Sequence, residues 1–306
     1  MTTTRLLAID WGSSALRGAL LDDDGRVVDQ RSAARGMLTI EPGGFAGVFE
    51  STFGDWMDVP GTRCLMAGMV GSRQGWMEAP YCPCPSGLAD LARHMAWVPD
   101  APGGVRLGIV PGLSFTQDDV PDVMRGEEIK VFGALALLGR DDATLVLPGT
   151  HSKWARVEHG RVVEFATVMS GEFYALLSRH SILAKSLPSH QETFDAEAFD
   201  RGVGHALDTS TSLMQTAFSV RTLALFERLP EPARPSYLSG LVIGEELRCR
   251  PLEGVGEVVL IGAPVLAERF ERALRRRGVA VHVLGEDAAW LGLHAIDRRA
   301  TSGASR

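Results

Sequence analysis

Three short segments of this chain carry residue types suited to holding a phosphate chain. The first is Leu6-Leu7-Ala8-Ile9-Asp10-Trp11-Gly12-Ser13-Ser14, an apolar run closed by a carboxylate and a turn of small residues. Gly12, Ser13 and Ser14 let backbone N–H groups approach an anion. Asp10 can hold Mg²⁺ beside a phosphate tail, because Mg²⁺ takes one or two carboxylates and fills its remaining positions with phosphate oxygens and water. The second segment is Leu147-Pro148-Gly149-Thr150-His151-Ser152-Lys153-Trp154. Gly149 and Thr150 can present N–H groups, Thr150 and Ser152 hydroxyls, and Lys153 a cation, with His151 placed to contact nucleotide or substrate. The third is Val258-Val259-Leu260-Ile261-Gly262-Ala263-Pro264. A small-residue turn between a buried strand and a helix lets a flat heterocycle or a ribose approach the backbone at Gly262 and Ala263. The first segment alone reads equally well as an ordinary turn, and the second and third alone read better as one. Two strand-ended anion loops in one chain are harder to dismiss.

The elements that must position these loops alternate between strand and helix. Leu16 to Leu21 is a second strand, and Asp24-Gly25 closes a further hairpin. Phe45, Val48, Phe49, Phe53 and Trp56 recur at three- and four-residue steps, which predicts a helix over 44–57. Arg63 to Met69 reads as a strand running into Gly68-Met69-Val70-Gly71, and a polar, aromatic loop follows from Ser72 to Gly87. A short helix is expected over 88–95, a strand over 105–110 and a helix over 127–138. Strand 143–147 leads to the second loop, and Arg156 to Thr167 reads as a hairpin turning at His159-Gly160. Helices are expected over 171–183, over 195–229 with a break near Gly202 to Gly204, and over 238–247. Strand 258–261, helix 266–277, strand 279–284 and helix 288–298 complete the pattern. Strands alternating with helices indicate an α/β architecture, and no solenoid repeat is present.

At 306 residues the chain suits two lobes rather than one core. Its net charge of −7 argues against a general affinity for nucleic acid. No apolar run is long enough to span a membrane, and the N-terminus enters a strand with no signal-peptide core, so a cytoplasmic setting is expected. The cysteines are Cys64, Cys82, Cys84 and Cys249. Cys82-Pro83-Cys84 lacks a second pair at zinc-site spacing.

In order, the chain offers an acidic first loop, the acidic segment Asp122-Val123-Met124-Arg125-Gly126-Glu127-Glu128, a second loop and a late strand–glycine–helix turn. This order resembles the actin-like ATPase and sugar-kinase superfamily, a two-domain, ribonuclease H-like α/β fold with ATP in the interdomain cleft. Gly68-Met69-Val70-Gly71-Ser72-Arg73-Gln74-Gly75-Trp76, Glu78-Ala79-Pro80-Tyr81, the acidic segment, the second loop and Met169-Ser170-Gly171-Glu172 are all similar to the 2-dehydro-3-deoxygalactonokinase family. The resemblance covers nearly the whole chain. It implies ATP- and Mg²⁺-dependent phosphorylation of the 6-hydroxyl of 2-dehydro-3-deoxy-D-galactonate, giving the 6-phospho acid in galactonate catabolism. The alternatives are a kinase of the same fold for another sugar or sugar acid, and a non-catalytic or filament-forming ATPase. Ile129-Lys130 departs from the expected Thr-Gln.

The resemblance also implies roles. The first domain is expected over 1–112, with the C-terminal helix 286–300 packing back on it, and the second over 113–285. Triphosphate would meet Gly12, Ser13, Ser14, Gly149, Thr150, His151, Ser152 and Lys153, with adenosine near Gly262 and Ala263. Glu127 resembles the catalytic acid of related carbohydrate kinases, after a glycine and opening a helix; Glu128 and Asp122 remain open, and all three suit a helix N-terminus. A sugar acid needs a cation for its carboxylate, and a planar guanidinium grips one with two parallel bonds. Arg73, in a loop with Gln74, Trp76, Glu78 and Tyr81, is the favoured candidate, and Arg125 is the second. The partners expected are ATP and a small sugar acid, with neither nucleic acid nor membrane, and a homo-oligomer is allowed.

Overall fold

The computed structural model describes residues 5–58, 61–189, 193–208 and 210–303. The chain opens with β1 (Leu6–Trp11), β2 (Leu16–Leu21), β3 (Val27–Ala33), α1 (Phe45–Met57) and β4 (Arg63–Ala67). It continues with β5 (Tyr81–Pro83), β6 (Ser86–Gly87), α2 (Leu88–Arg93), β7 (Ala96–Trp97), β8 (Leu107–Ile109), β9 (Gly112–Gln117), β10 (Val120–Met124) and α3 (Glu127–Leu138). Next come β11 (Ala143–Leu147), β12 (Ser152–Glu158), β13 (Arg161–Val168), α4 (Ser170–His180), α5 (Ala196–Leu207), α6 (Leu213–Thr216), α7 (Ser219–Leu225) and α8 (Arg234–Arg248). The last elements are β14 (Glu257–Ile261), α9 (Pro264–Arg276), β15 (Ala280–Leu284) and α10 (Ala288–Gly303).

By its contacts the chain falls into two units: Met1–Leu145, Ala155–Ala166 and Gly285–Arg306 form the first, and Val146–Trp154 and Thr167–Leu284 the second. Residues 113–145 therefore stand with the first unit, as does α10. The first unit is built on a sheet of order β3-β2-β1-β4-β8-β7. β1 pairs antiparallel with β2 and parallel with β4, so it lies inside the sheet. Its residues are buried except at Asp10, which makes the carboxylate the polar end of an apolar strand. One face of this sheet packs on Phe45, Phe49, Phe53 and Trp56 of α1, the side chains whose helical spacing the sequence displays.

A second sheet, β10-β9-β5, carries a hairpin absent from the sequence expectations. Its turn is Asp118-Asp119, both at positive φ (51° and 62°). This is the geometry of a tight hairpin turn without its usual glycine. Asp122 is consequently a strand residue opposite Phe115 rather than part of a helix start.

The third sheet has the order β15-β14-β11-β12-β13-β6, and the chain passes between the units within β11, β12 and β13. In the second unit β14 and β15 run parallel, with Val259 opposite His282. Val146, Trp154, Phe199, Val203, Ile243, Val258, Leu260 and Phe270 form its core. The helix break expected near Gly202 to Gly204 is not there: α5 runs unbroken from Ala196 to Leu207. Gly202 instead lets α8 approach, since a β-carbon there would stand 3.0 Å from the Leu241 nitrogen. The glycine serves helix packing, and the helix ends after Leu207. Among the described residues no helix is long and apolar enough to cross a membrane.

Candidate active site

The first loop is a four-residue hairpin turn joining β1 to β2. The Gly12 N–H donates to the Ala15 carbonyl at 2.9 Å. The carbonyls of Gly12 and Ser13 accept from Met37 and Leu38, so the turn is tied down from behind. Ser13 is half-buried and Ser14 exposed, and among the described residues no backbone carbonyl takes up their N–H groups. The loop thus offers donors on a fixed frame, the arrangement an anion needs.

Asp10 stands opposite Arg17 in the hairpin register, and Arg17 Nη2 donates to Asp10 Oδ2 at 2.6 Å. Next to this pair lies Gly68, at φ +95°, where a β-carbon would stand 2.7 Å from the Trp11 carbonyl oxygen and 3.3 Å from Asp10 Oδ1. Gly126, at φ +102°, packs in turn on Gly68. Positive φ and this close approach both require glycine. Through these two residues the N-terminus of α3 is seated against the end of β1, and the first turn of α3 carries Glu127 and Glu128.

These two carboxyls sit in different surroundings. Glu127 is half-buried, and its Oε2 accepts from the Arg125 N–H at 3.0 Å. Glu128 is wholly buried; its Oε2 accepts from the Gly126 N–H at 2.6 Å, and its Oε1 has no partner among the described residues. Burial, reinforced by the charge of Glu127, pushes the Glu128 carboxyl up to about 8. Glu128 therefore keeps its proton in neutral solution, and Glu127 is the solvent-facing carboxylate of the two.

The loop from Ser72 to Gly87 folds back on itself. Trp76 N–H donates to the Val70 carbonyl and Ala79 N–H to the Gly71 carbonyl, both at 2.9 Å. Arg73, Gln74 and Glu78 are exposed, and Arg73 makes no ion pair among the described residues. Trp76 packs into the aromatic core, its ring 5.7 Å from Phe49 and 6.3 Å from Trp11. Around Arg125 the loop does close. Arg125 Nη2 donates to the Ala79 carbonyl at 2.8 Å, the guanidinium lies 4.2 Å over the Tyr81 ring, and Nη1 is buried with no partner among the described residues. A buried donor left without an acceptor is costly and marks a place for a ligand group or water.

The second loop joins β11 to β12 in the second unit. Gly171 at the start of α4 lies against it, so that a β-carbon there would stand 2.8 Å from the Thr150 Cα. The Glu172 N–H donates to the Thr150 carbonyl at 3.0 Å, and His151 Nε2 meets Glu172 Oε2 at 2.6 Å. Gly149, Thr150 and His151 face outward, whereas Ser152 and Lys153 are buried. Ser152 pairs with Ser170 at 3.0 Å. Beneath them Trp154 Nε1 donates to Glu246 Oε1 at 2.7 Å. Burial raises the Glu246 carboxyl, against the hydrogen bonds around it. A β-carbon on Gly262 would stand 3.5 Å from the Pro148 Cδ, so the third turn adjoins the second loop. A cavity of about 60 Å³ opens beside them, lined by Gly149, Gly171, Tyr174, Ser239, Arg269 and Phe270 among others. Arg269 donates to the Ser239 hydroxyl at 3.2 Å and keeps a buried, unpartnered Nε.

A Mg²⁺ ion fits the donor set at Asp10. The carboxylate is a single one, with Oδ2 on Arg17 and Oδ1 beside Gly68. Among the described residues no group of three or more His, Cys, Asp or Glu side chains gathers into a cage. This suits an ion held largely by phosphate oxygens and water.

The family model for 2-keto-3-deoxy-galactonokinase matches residues 10–296. The chain belongs to this family. It is 33% identical over 290 residues to the 2-dehydro-3-deoxygalactonokinase of Escherichia coli (strain K12), covering 94% of this chain and 95% of that one. A crystal structure of a Sinorhizobium meliloti protein assigned as a 2-dehydro-3-deoxygalactonokinase superposes with a TM-score of 0.87 at 32% identity, over 98% of both chains. The ADPNP-bound activator of 2-hydroxyisocaproyl-CoA dehydratase from Clostridium difficile shares the fold alone, with a TM-score of 0.51 at 15% identity over 99% of this chain and 98% of that one. The fold of this galactonokinase family member is thus the actin-like ATPase and sugar-kinase fold expected from its sequence.

Three residues of the site escaped the sequence analysis. Arg17 had a usable signal, since it faces Asp10 across a four-residue turn. Glu286 and Lys130 had none: Lys130 Nζ donates to Glu286 Oε1 at 3.2 Å, and Arg17 Nη1 donates to Glu286 Oε2 at 3.2 Å. Lys130 belongs to the Ile129-Lys130 departure, whose other member is buried in the α3 core face.

Proposed function

We propose that this chain transfers the γ-phosphoryl group of ATP to the 6-hydroxyl of 2-dehydro-3-deoxy-D-galactonate. Membership of the family over residues 10–296 supports the substrate. One structural observation supports the chemistry: the stacked glycines Gly68 and Gly126 seat the acidic start of α3 against Asp10.

In this reading Glu127 accepts the proton of the 6-hydroxyl as its oxygen attacks the γ-phosphorus. The new P–O bond forms as the bond to the β–γ bridging oxygen breaks, and ADP leaves with that electron pair. Asp10 would hold Mg²⁺, which when bound would neutralise charge on the phosphates. The N–H groups of Ser13 and Ser14 serve phosphate oxygens, and in the second unit Gly149 and Thr150 carry donors of the same kind. Glu128, buried and protonated, fixes the Gly126 N–H and with it the first turn of α3. The turn at Gly262 and Ala263 serves the nucleoside.

Two cations compete for the sugar-acid carboxylate. Arg73 is exposed and unencumbered. Arg125 runs from the Glu127 end of the site to Tyr81 and keeps a free Nη1. A six-carbon acid carries its carboxylate and its terminal hydroxyl at opposite ends, and the run of Arg125 from base to aromatic ring matches that. ATP as donor suits a cytoplasmic enzyme.

A coupled assay of ADP release against a panel of sugar acids tests the proposal. Release that depends on 2-dehydro-3-deoxy-D-galactonate, and is far slower with gluconate or galactonate, is expected. Equal rates across the panel would refute the substrate assignment, and release indifferent to any sugar would refute the kinase assignment.

A further inference from the structure

Asp10 is not held by its own strand alone. Its carboxylate is gripped by Arg17 at 2.6 Å, and the other terminal nitrogen of Arg17 is gripped by Glu286 at 3.2 Å. Glu286 is held in turn by Lys130 at 3.2 Å. The four charges alternate in sign: Asp10 at the end of β1, Arg17 on β2, Glu286 just before α10, and Lys130 on α3. Trp290 of α10 backs the guanidinium at 5.8 Å. Asp10 and Arg17 are largely shielded, with side chains 13% and 25% exposed. Glu286 lies in the segment where the chain returns to the first unit at Gly285.

A lone Arg–Asp pair can swing about the flexible arginine stem. Engaging the second terminal nitrogen restricts that freedom, since Nη2 and Nη1 are then each held by a carboxylate on a different element. We propose that Glu286 is a positioning residue: acting through Arg17, it sets the orientation of the Asp10 carboxylate, and Lys130 holds Glu286 in place for that task. This rests on the reading of Asp10 as the Mg²⁺-side carboxylate. Outer residues that orient a metal-binding carboxylate typically matter by about 10–100-fold in activity or metal affinity.

Glu286→Gln, Arg17→Met, their double variant and Asp10→Asn, each in the full chain, test the proposal. Glu286→Gln should lower kcat about tenfold and raise the Mg²⁺ concentration giving half the maximal rate, leaving the sugar-acid KM within about twofold. Calorimetric titration with Mg²⁺·ADP should show binding weakened about threefold or more, a readout independent of turnover. The double variant should be no slower than Arg17→Met, because a residue that acts only through Arg17 has nothing further to lose once Arg17 is gone. Glu286→Asp should restore part of the rate. If Arg17→Met does not fold, Arg17→Lys replaces it in the cycle with the same less-than-multiplicative expectation. Glu286→Gln with wild-type kcat, Mg²⁺ dependence and ADP binding would overturn the inference, as would effects of the two substitutions that multiply. An inactive Asp10→Asn beside an unaffected Glu286→Gln overturns the inference alone. A fully active Asp10→Asn overturns the assignment of Asp10 and this inference with it.

Discussion

Gly126 rests on Gly68 so closely that a β-carbon on Gly126 would stand 3.1 Å from the Gly68 Cα. Because Gly68 also abuts the Trp11 carbonyl and Asp10, this contact sets the spacing between Asp10 and the carboxyls of α3. Gly68→Ala should destabilise the chain by about 1–3 kcal/mol, through strain at positive φ and the clash with Trp11. It should also lower kcat by more than the lost stability explains at a temperature where the variant is fully folded. Thermal melts and steady-state kinetics on one sample check both. A variant that melts early yet turns over at the wild-type rate would show that the spacing does not matter to the chemistry.

The two neighbouring glutamates should behave differently. Glu127→Gln should reduce kcat by about 10²–10⁴, the usual effect of losing a general base, with little change in ATP affinity. Glu128→Gln should keep much of the activity, since an amide oxygen can still accept from the Gly126 N–H. Reversed losses would make Glu128 the base. Loss confined to Asp122→Asn would move the chemistry to β10.

Glu128 also predicts how stability follows pH. Its folded value of about 8 lies above that of an exposed carboxyl, so the folded state holds the extra proton. The stabilisation is complete below the unfolded value and is lost as pH rises through about 8. Wild-type Tm should therefore decline between about pH 5 and 8.5, and Glu128→Gln, which has no proton to lose, should flatten that decline. Parallel slopes for the two proteins would contradict the buried, protonated state.

Much of this site was legible because its parts are local. The end of β1 and the small-residue turn fall within one hairpin, and α3 announces itself by Gly126 followed by two acids and an apolar periodicity. The β9–β10 hairpin was hidden because its turn uses Asp118-Asp119 where a glycine signal would be expected, and Pro121 interrupts the second strand. Gly202 misled in the opposite sense, because a glycine that admits a neighbouring helix looks in sequence like one that ends its own. The burial of Ser152 and Lys153 depends on which way β12 faces, and a short loop does not reveal that. Glu286 reaches Arg17 across 269 positions, and no local pattern encodes such a pairing.

The carboxylate of the substrate should report which arginine it meets. Loss of one partner from a desolvated charge pair costs about 2–5 kcal/mol, so the right alanine variant should raise the sugar-acid KM strongly and leave that for ATP nearly unchanged. Arg125→Ala is expected to do so on the strength of its unpartnered Nη1, and Lys at the same position should recover only part, lacking the planar fork. If Arg73→Ala alone raises the sugar-acid KM, the carboxylate lies out on the exposed loop.

The claim that this chain is a sugar-acid kinase is tested most directly by the structure of its product. Incubation with ATP, Mg²⁺ and 2-dehydro-3-deoxy-D-galactonate, followed by phosphorus–proton correlation spectroscopy, should show one phosphate coupled to the protons on carbon 6, in amounts equal to the ADP formed. Free phosphate without a sugar ester, or an ester at another carbon, would contradict the account.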